Sequence, residues 1–228
     1  MTTALWTESW TASVEVCRPV RFLSDSEPGS SFSTLVIALH GYGMNPVRML
    51  EWTRLLIGPE PALIAIEAPN AAHLGPDPRT AQTGYNWGIR ETTEFHVAFH
   101  HRIVAAVLKA AELKFSVGAR RTVLAGFSQP VGLNYRYAAA FPQTIGGVLA
   151  LCGGVPDEWD QAAVRPLPLS IFHVARTEDE FYPQPTIDVF AERLRRSVAD
   201  VTMLRLPGPH RFPRQATQDV RAWLSRLS

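Results

Sequence analysis

The sequence predicts an α/β fold in which a mostly parallel central sheet lies between helices on both faces, as a three-layer sandwich. Two observations carry this prediction: short, largely apolar runs recur along the chain, and stretches with apolar residues at helical spacing separate them. Alternation of this kind is typical of a parallel sheet. The N-terminal stretch 14–22 alternates apolar and polar residues instead, which predicts a hairpin at an antiparallel edge of the sheet.

The apolar runs are four or five residues long, which favours buried strands over helices. They are Leu35–Leu39, Ala62–Ile66, Thr122–Ala125, Val148–Leu151, Leu169–Phe172 and Val201–Leu204. Helices are predicted where apolar side chains repeat every three or four residues. Three such repeats occur: Phe99, Ile103 and Val107; Ile187, Phe190 and Leu194; and Val220, Trp223, Leu224 and Leu227. A further helix is expected over residues 131–140.

Composition is that of a globular protein with a substantial core, since 46% of the residues are hydrophobic and 19% are charged. At 228 residues without repeats or low-complexity segments, one domain over 1–228 is expected. A net charge of +1 without a long basic run argues against nucleic acid as a partner. The sequence requires no cofactor, and it is compatible with a homodimer without specifying one.

Two cysteines, Cys17 and Cys152, are too few for a disulfide framework, so both are expected to be buried thiols in a reducing compartment. The first ten residues lack the positive start and apolar core of a signal peptide. No run approaches the roughly 18 apolar residues that span a bilayer. We therefore expect a cytoplasmic protein without a membrane span.

The segment Gly126-Phe127-Ser128-Gln129 joins a predicted strand to a predicted helix, and a serine in such a sharp turn is typical of a nucleophile elbow. The elbow pattern G-x-S-x-G has glycine where this chain has Pro130. Proline is tolerated in the first turn of a helix, but it is expected to keep Gln129 out of the α region. The alternative for Ser128 is a helix N-cap.

Ligands of open α/β sheets bind beyond the carboxyl ends of the strands, where this chain has its reactive residues. The segment 40–43, His-Gly-Tyr-Gly, follows the first parallel strand, and Ser128 follows the third. The acidic segment 178–180 follows the strand that ends near Phe172, and His210 follows the last strand. Four strand ends therefore bring together the components of an acyl-transfer site.

With these motifs, residues 34–228 resemble the α/β-hydrolase superfamily, and within it the compact carboxylesterase/phospholipase group, which includes acyl-protein thioesterases and bacterial esterases. The resemblance implies a catalytic triad in the superfamily's chain order, Ser128, Asp179 and His210. Departures from the family pattern are Pro130 and the acidic stretch 178–183. Because this acidic stretch departs from the family pattern, Glu178 or Glu180 could be the triad acid instead of Asp179. All three could also form a solvated charge cluster with no catalytic role.

The resemblance also implies an oxyanion hole formed by the backbone N–H groups of Tyr42 and Gln129, with Gly41 and Gly43 letting the loop approach the substrate. His40 is then a loop-organising residue. The stretch 69–88 is interpreted as a long loop without regular structure. Its aromatic residues Tyr85 and Trp87 are candidates for the wall of the substrate pocket, with packing of the loop onto the body as the alternative for Trp87.

Other histidines compete with His210 for the role of general base, namely His173 and the pair His100-His101. His96 and His100 share a helical face at a spacing that fits zinc, but no third ligand follows, so a structural pair is favoured over a metal site.

Lipases of this superfamily carry a helical cap between the strand before the acid and the acid strand itself. In this chain only residues 152–168 connect those two strands, and this connection is too short for a cap domain. The sequence thus predicts a serine esterase for small to medium acyl chains, acting through an acyl-enzyme. The alternatives are a thioesterase, an acyltransferase, or a non-catalytic binding module if Pro130 disables the elbow.

Overall fold

The fold centres on a seven-stranded sheet, accompanied by a separate two-stranded ribbon. The computed structural model describes residues 18–27, 29–77, 79–89, 93–161 and 166–227. The strands are β1 (Phe22–Ser24), β2 (Leu35–Leu39), β3 (Ala62–Ile66), β4 (Asn70–Leu74), β5 (Gln82–Asn86), β6 (Thr122–Phe127), β7 (Gly147–Leu151), β8 (Leu167–Arg176) and β9 (Val198–Leu206). The helices are α1 (Pro46–Ile57), α2 (Thr93–Phe115), α3 (Pro130–Ala140), α4 (Gln184–Ser197) and α5 (Thr217–Leu224).

The sheet has the strand order β1-β3-β2-β6-β7-β8-β9. All neighbours run parallel except β1, which pairs antiparallel with β3 and places Phe22 opposite Ile66. The six predicted strands and the antiparallel N-terminal edge are thereby confirmed. The predicted run Val201–Leu204 is only half-buried, however, because β9 lies at the edge of the sheet. Residues 14–17 of the predicted hairpin lie outside the described residues.

The two faces of the sheet carry separate apolar cores, because successive side chains of a strand point to opposite faces. In β2, Leu35, Ile37 and Leu39 belong to the core that α2, α3 and α4 cover. Val36 and Ala38 belong to the core on the other face, which α1 and α5 cover. Every residue of β2, β3, β6 and β7 is buried, as expected for parallel strands between two helical layers. The three-layer arrangement is therefore confirmed.

Helix α1 starts immediately after the loop at the end of β2. The Asn45 side chain accepts a hydrogen bond from the Arg48 backbone N–H at 2.9 Å, and Pro46 occupies the first turn, where its missing N–H costs nothing. This cap fixes the helix start at the carboxyl edge of the sheet, so Arg48 and Trp52, four residues apart on one helical face, remain close to that edge.

The stretch 69–88, predicted to lack regular structure, is an antiparallel ribbon of β4 and β5 instead. The prediction was wrong because the ribbon is largely exposed and contains small or polar residues, so no apolar alternation marks it. The Gly43 N–H donates to the Tyr85 carbonyl at 2.9 Å, and the Tyr85 N–H donates to the Met44 carbonyl at 2.8 Å. The ribbon thus holds the loop that follows β2.

Between β7 and β8 the chain has only residues 152–166, which include a short 3-10 turn at Asp157–Gln161. This connection is too short to contain a cap domain. Among the described helices, none combines the length and apolar character needed to cross a bilayer.

Candidate active site

A cleft of about 690 Å³ opens at the carboxyl edge of the sheet, beyond the ends of β2, β6 and β9. Its walls include Gly41 and Tyr42 from the loop after β2, Ser128 from the turn after β6, and His210 from the loop after β9. Residues far apart in the sequence therefore share one surface, as the order of strand ends predicts.

Ser128 occupies the sharp turn between β6 and α3 with φ of 62°, in the left-handed region that a non-glycine residue seldom adopts. Its backbone N–H donates to the Leu151 carbonyl at 2.8 Å, and its carbonyl accepts from the Val131 N–H at 3.2 Å. A Cβ at Gly126 would lie 2.7 Å from Asn134 Nδ2, and one at Gly153 would lie 2.6 Å from the Ser128 carbonyl oxygen. Glycine at both positions permits the tight turn that exposes the serine hydroxyl.

Pro130 is the first residue of α3, where its lack of an N–H is tolerated. The expectation that it keeps Gln129 out of the α region is wrong, since Gln129 has φ of −50° and ψ of −49°. Two side-chain hydrogen bonds offset the steric cost: Gln129 Oε1 accepts from the Trp87 N–H at 2.9 Å, and Nε2 donates to the Gly88 carbonyl at 2.8 Å. Gln129 therefore joins the turn to the end of the ribbon.

Ser128, His210 and Asp179 form a continuous hydrogen-bonded line. Ser128 Oγ lies 2.8 Å from His210 Nε2, and His210 Nδ1 lies 2.7 Å from Asp179 Oδ2. Asp179 is only 6% exposed, and its other oxygen accepts the backbone N–H groups of Phe181 at 2.9 Å and Tyr182 at 3.1 Å. The carboxylate is thus fixed in orientation, with one oxygen directed at the imidazole.

The acidic neighbours of Asp179 take other positions. Glu180 Oε2 accepts the His210 backbone N–H at 3.0 Å, so it holds the loop rather than the imidazole ring. This hydrogen bond lowers the pKa of the Glu180 carboxyl. Glu178 is exposed. Of the three acids, the structure brings only Asp179 to the His210 ring.

Aromatic rings enclose the imidazole of His210. Phe127 is stacked on it with ring centroids 5.5 Å apart, and Phe181 contacts it edge-on at 4.8 Å. The rings leave the imidazole side chain 9% exposed. Packing on both sides restricts rotation of the ring and keeps Nε2 directed at Ser128.

Arg176, at the end of β8, holds the loop that carries His210, a contact that was not predicted from the sequence. The guanidinium donates to the carbonyls of Pro207 at 2.7 Å and Phe212 at 3.5 Å, and to Gln215 Oε1 at 2.9 Å. The residue is 4% exposed and forms no ion pair with the acidic residues that the structure describes. No local pattern marks such a residue, because its partners lie more than 30 positions away.

The two amides predicted to form an oxyanion hole flank the serine turn. In the described ranges, neither the Tyr42 N–H nor the Gln129 N–H has an acceptor within the protein. Gly41 lies close to Phe127, since a Cβ there would be 3.2 Å from the Phe127 carbonyl oxygen, and Gly43 has φ of 72°. Both glycines therefore fit the tight loop that carries Tyr42.

His40 stabilises this loop from beneath. Its Nδ1 lies 2.9 Å from the Gly41 carbonyl, and its Nε2 accepts the Ala68 N–H at 3.1 Å, which fixes the tautomer with the proton on Nδ1. Burial lowers the pKa of His40 and keeps the ring neutral. This geometry fits the loop-organising role expected of it.

Tyr85 and Trp87 do not line the cleft. Trp87 is 1% exposed, and its Nε1–H donates to the His40 carbonyl at 2.8 Å, so the structure favours the packing alternative. Tyr85 contributes its backbone to the bridge with Met44. Both residues brace the Tyr42 loop rather than forming the wall of the pocket.

Of the competing histidines, His173 and His100 are buried and have partners other than Ser128, and His101 is half-buried and packs against Tyr137 and Phe141. His173 Nδ1 lies 2.8 Å from the Tyr135 hydroxyl, and burial lowers its pKa to about 4. His100 Nε2 lies 3.1 Å from Asn134 Oδ1, and burial lowers its pKa to about 3. His96 packs against Gly88. Within the described ranges, no group of three or more His, Cys, Asp or Glu side chains is arranged to hold a metal ion.

Cys152 lies directly after β7 with φ of 50° and is buried as a free thiol. Burial raises its pKa to about 12, so the thiol stays protonated and is not a nucleophile at neutral pH. Cys17 lies outside the described residues.

Comparison with known proteins gives a consistent result. A family model described as Phospholipase/Carboxylesterase matches residues 26–228. Among solved structures, the chain is similar to a phospholipase/carboxylesterase from Dyadobacter fermentans, at 19% identity over 93% of this chain and 100% of that chain, with a TM-score of 0.70. It is also similar to the Bacillus cereus carboxylesterase, at 15% identity over 92% of this chain and 95% of that chain, with a TM-score of 0.71.

A third similar structure is acyl-protein thioesterase 2 of Zea mays, at 13% identity over 92% of this chain and 98% of that chain, with a TM-score of 0.68. At these identities the structural matches show the fold alone. No curated protein matches the sequence.

Proposed function

The chain belongs to the phospholipase/carboxylesterase family of α/β-hydrolases, and from that premise we propose that it is a serine esterase that uses Ser128, His210 and Asp179 as its triad. The observation that carries this proposal is the line of two hydrogen bonds, 2.8 and 2.7 Å long, from Ser128 Oγ through the His210 ring to Asp179. A serine whose hydroxyl contacts an imidazole, itself held by a carboxylate, is activated for attack on a carbonyl carbon.

In the first half of the proposed reaction, Ser128 Oγ bonds to the ester carbonyl carbon while its proton passes to His210 Nε2. Asp179 stabilises the imidazolium that forms. The carbonyl oxygen gains a negative charge, and the backbone N–H groups of Tyr42 and Gln129 stabilise it. The tetrahedral intermediate then breaks its bond to the alcohol oxygen, which takes the proton from His210 and leaves an acyl-enzyme on Ser128.

The second half of the reaction repeats these steps with water. His210 Nε2 removes a proton from the water as its oxygen bonds to the acyl carbon, and the proton returns to Ser128 Oγ when the acid leaves. These steps use only side chains and backbone amides of the protein. The same groups would cleave a thioester.

The open cleft supports a substrate of small or medium acyl chain, because the connection between β7 and β8 is too short for a cap domain and Tyr42, at the cleft wall, is 63% exposed. Its floor is aromatic and includes Phe127 and Phe212. We therefore assign small-molecule carboxylic esters as the substrate class.

The test is labelling with a fluorophosphonate probe followed by peptide mass spectrometry. We expect one adduct per chain on Ser128 and none on the Ser128→Ala variant. The matched control is Ser116→Ala, because Ser116 is also a serine with positive φ, at 52°, but is exposed and has no histidine partner among the described residues. This control should label like the wild type.

Absence of labelling in folded wild-type protein at pH 7 to 9 would refute the proposal and favour a non-catalytic binding module. For protein that labels, product analysis with added alcohols separates the hydrolase from an acyltransferase. Free acid as the main product supports the esterase, and a new ester as the main product contradicts it.

A further inference from the structure

The cleft that contains Ser128 is also lined by arginines. Arg211 and Arg214 line it, and no acidic side chain in the described part of the chain does. The Arg211 guanidinium is close enough to Glu180 to lower the pKa of that carboxyl, so part of its charge is compensated. Arg214 has no ion pair with the described acidic residues. One side of the cleft is therefore positively charged.

A second cation, Arg48, joins Arg214 at the ring of Trp52. The guanidinium carbon of Arg214 lies 5.2 Å from the Trp52 ring centroid, and that of Arg48 lies 5.7 Å from it. Cation–π contacts at these distances restrain the side chains and leave their N–H donors available. Arg48, like Arg214, has no ion pair with the described acidic residues.

A row of aromatic rings connects the imidazole to this pair of arginines, and its two middle rings, Phe127 and Phe212, line the cleft but are only 8% and 7% exposed. Ring centroids are 5.5 Å apart for His210 and Phe127, 5.4 Å apart for Phe127 and Phe212, and 5.3 Å apart for Phe212 and Trp52. A substrate chain that extends from the reacting carbonyl along these rings reaches the guanidinium groups after an apolar stretch. This side of the cleft therefore fits a molecule with a reactive ester, an apolar spacer and an anion at its far end.

We propose that Arg48 and Arg214, stacked on Trp52, form an anion subsite that selects esters whose acyl or alcohol chain ends in a carboxylate or phosphate. The ester part rests on the proposed function of Ser128, whereas the anion subsite itself does not. Arginine suits this role because its planar donors match both oxyanions.

The kinetic test compares charged and neutral esters of equal length. The acyl-side pairs are mono-4-nitrophenyl octanedioate and the corresponding 6-phosphonooxyhexanoate, each against 4-nitrophenyl octanoate. The alcohol-side pair is the butanoate ester of 6-hydroxyhexanoate against hexyl butanoate. We expect kcat/KM to favour at least one charged ester by about 5- to 10-fold at low salt. The preference should shrink at about 1 M NaCl, where the Debye length is about 3 Å.

Substitutions locate the subsite. In the double variant Arg48→Gln with Arg214→Gln, kcat/KM for the charged ester divided by kcat/KM for the neutral ester should fall to about 1. The matched control is Arg120→Gln, since Arg120 is exposed at the amino end of β6, at the opposite edge of the sheet from the cleft. The control should keep the wild-type ratio. Equal kcat/KM for charged and neutral esters in the wild type, or a ratio that the double variant retains, would overturn the inference.

A binding measurement separates this inference from the proposed function. Calorimetry on the Ser128→Ala variant should show monomethyl octanedioate binding several-fold more tightly than neutral dimethyl octanedioate. This difference supports the anion subsite even if no ester is hydrolysed, in which case only the esterase proposal fails. Equal affinities refute the subsite, while hydrolysis of neutral esters by the wild type would leave the esterase proposal intact.

Discussion

At the residue scale, the conformation of Ser128 is sustained by its surroundings rather than by its own preference. A φ of 62° costs a non-glycine residue on the order of 1–3 kcal/mol. Hydrogen bonds to Leu151 and Val131 on either side of the turn, together with the space left by Gly126 and Gly153, offset this cost. The strain is therefore confined to the one residue whose side chain must stand clear of the sheet.

Arg176 holds the loop that carries His210 by hydrogen bonds on both sides of that residue. Replacing it with methionine removes the donors to Pro207, Phe212 and Gln215 while keeping a long apolar side chain. We expect kcat to fall about 10- to 100-fold with little change in KM, because a small displacement of the base misaligns the proton transfer. The rate of fluorophosphonate labelling should fall in parallel, and Arg176→Lys should recover part of both.

The control for this prediction is Arg205→Met. Arg205 lies on the neighbouring strand β9 and pairs with Asp188 at the surface. The Arg205→Met variant should have the wild-type kcat. If folded Arg176→Met protein keeps wild-type kcat and labelling rate, the loop is held by other contacts and the positioning role is wrong.

At the element scale, the β4–β5 ribbon acts as a support for the Tyr42 loop. Gly84 lies so close to this loop that an added Cβ would be 2.5 Å from the Gly43 carbonyl oxygen. Replacing Gly84 with alanine must therefore shift the backbone next to Tyr42. We expect kcat to fall about 10- to 100-fold, since loss of a whole oxyanion donor costs roughly 10²–10³.

Steady-state kinetics on Gly84→Ala, beside its unfolding temperature, tests this prediction. The matched variant is Gly118→Ala, because a Cβ at Gly118 has no atom within 4 Å. That variant should keep the wild-type kcat. A folded Gly84→Ala protein with unchanged kcat would show that the Tyr42 loop does not depend on the ribbon.

Elements with a strong apolar signature were predictable from the sequence, and those without one were not. The buried strands β2 and β3 are runs of five apolar residues, which local composition identifies. The β4–β5 ribbon buries little, so its pairing is determined by backbone contacts that composition does not encode. The helical conformation of Gln129 was mispredicted for a related reason, because its partners Trp87 and Gly88 lie about 40 residues away.

The same distinction applies to the candidate site. The order of strand ends placed Ser128, Asp179 and His210 in one region, since parallel strands share a carboxyl edge. Which acid reaches the imidazole was open, because the turn that directs Asp179 inward and Glu180 to the His210 backbone forms only in the fold. The arginines at Trp52 were not predictable, since α1 and the His210 loop meet only in three dimensions.

At the scale of the whole molecule, two histidines are buried in the core between the sheet and its helices. His173 on β8 and His100 on α2 are each 1% exposed and contact polar partners across this core, Tyr135 and Asn134. Both histidines contact helix α3, which packs on the same central sheet. We therefore propose that residues 1–228 unfold as a single domain. Protonation of either ring would then weaken the whole fold rather than a local segment.

We expect stability to decrease as the pH falls below about 6.5. Burial lowers the pKa of His173 from 6.5 to about 4 and that of His100 from 6.5 to about 3. Between the folded and unfolded pKa values the unfolded chain binds more protons, so acid favours unfolding. In that window, each histidine lowers the free energy of unfolding by about 1.4 kcal/mol for each pH unit of acidification. Above pH 6.5 neither histidine destabilises the fold in this way.

Denaturant unfolding at pH 7, 6, 5 and 4.5, followed by both tryptophan fluorescence and circular dichroism, measures this dependence. The His173→Gln variant should show a shallower decline in the free energy of unfolding, because one buried histidine fewer takes up a proton on unfolding. The exposed His73→Gln variant should keep the wild-type slope. Identical slopes in wild type and His173→Gln would show that His173 is not held neutral by burial, and separate transitions in the two signals would contradict a single domain.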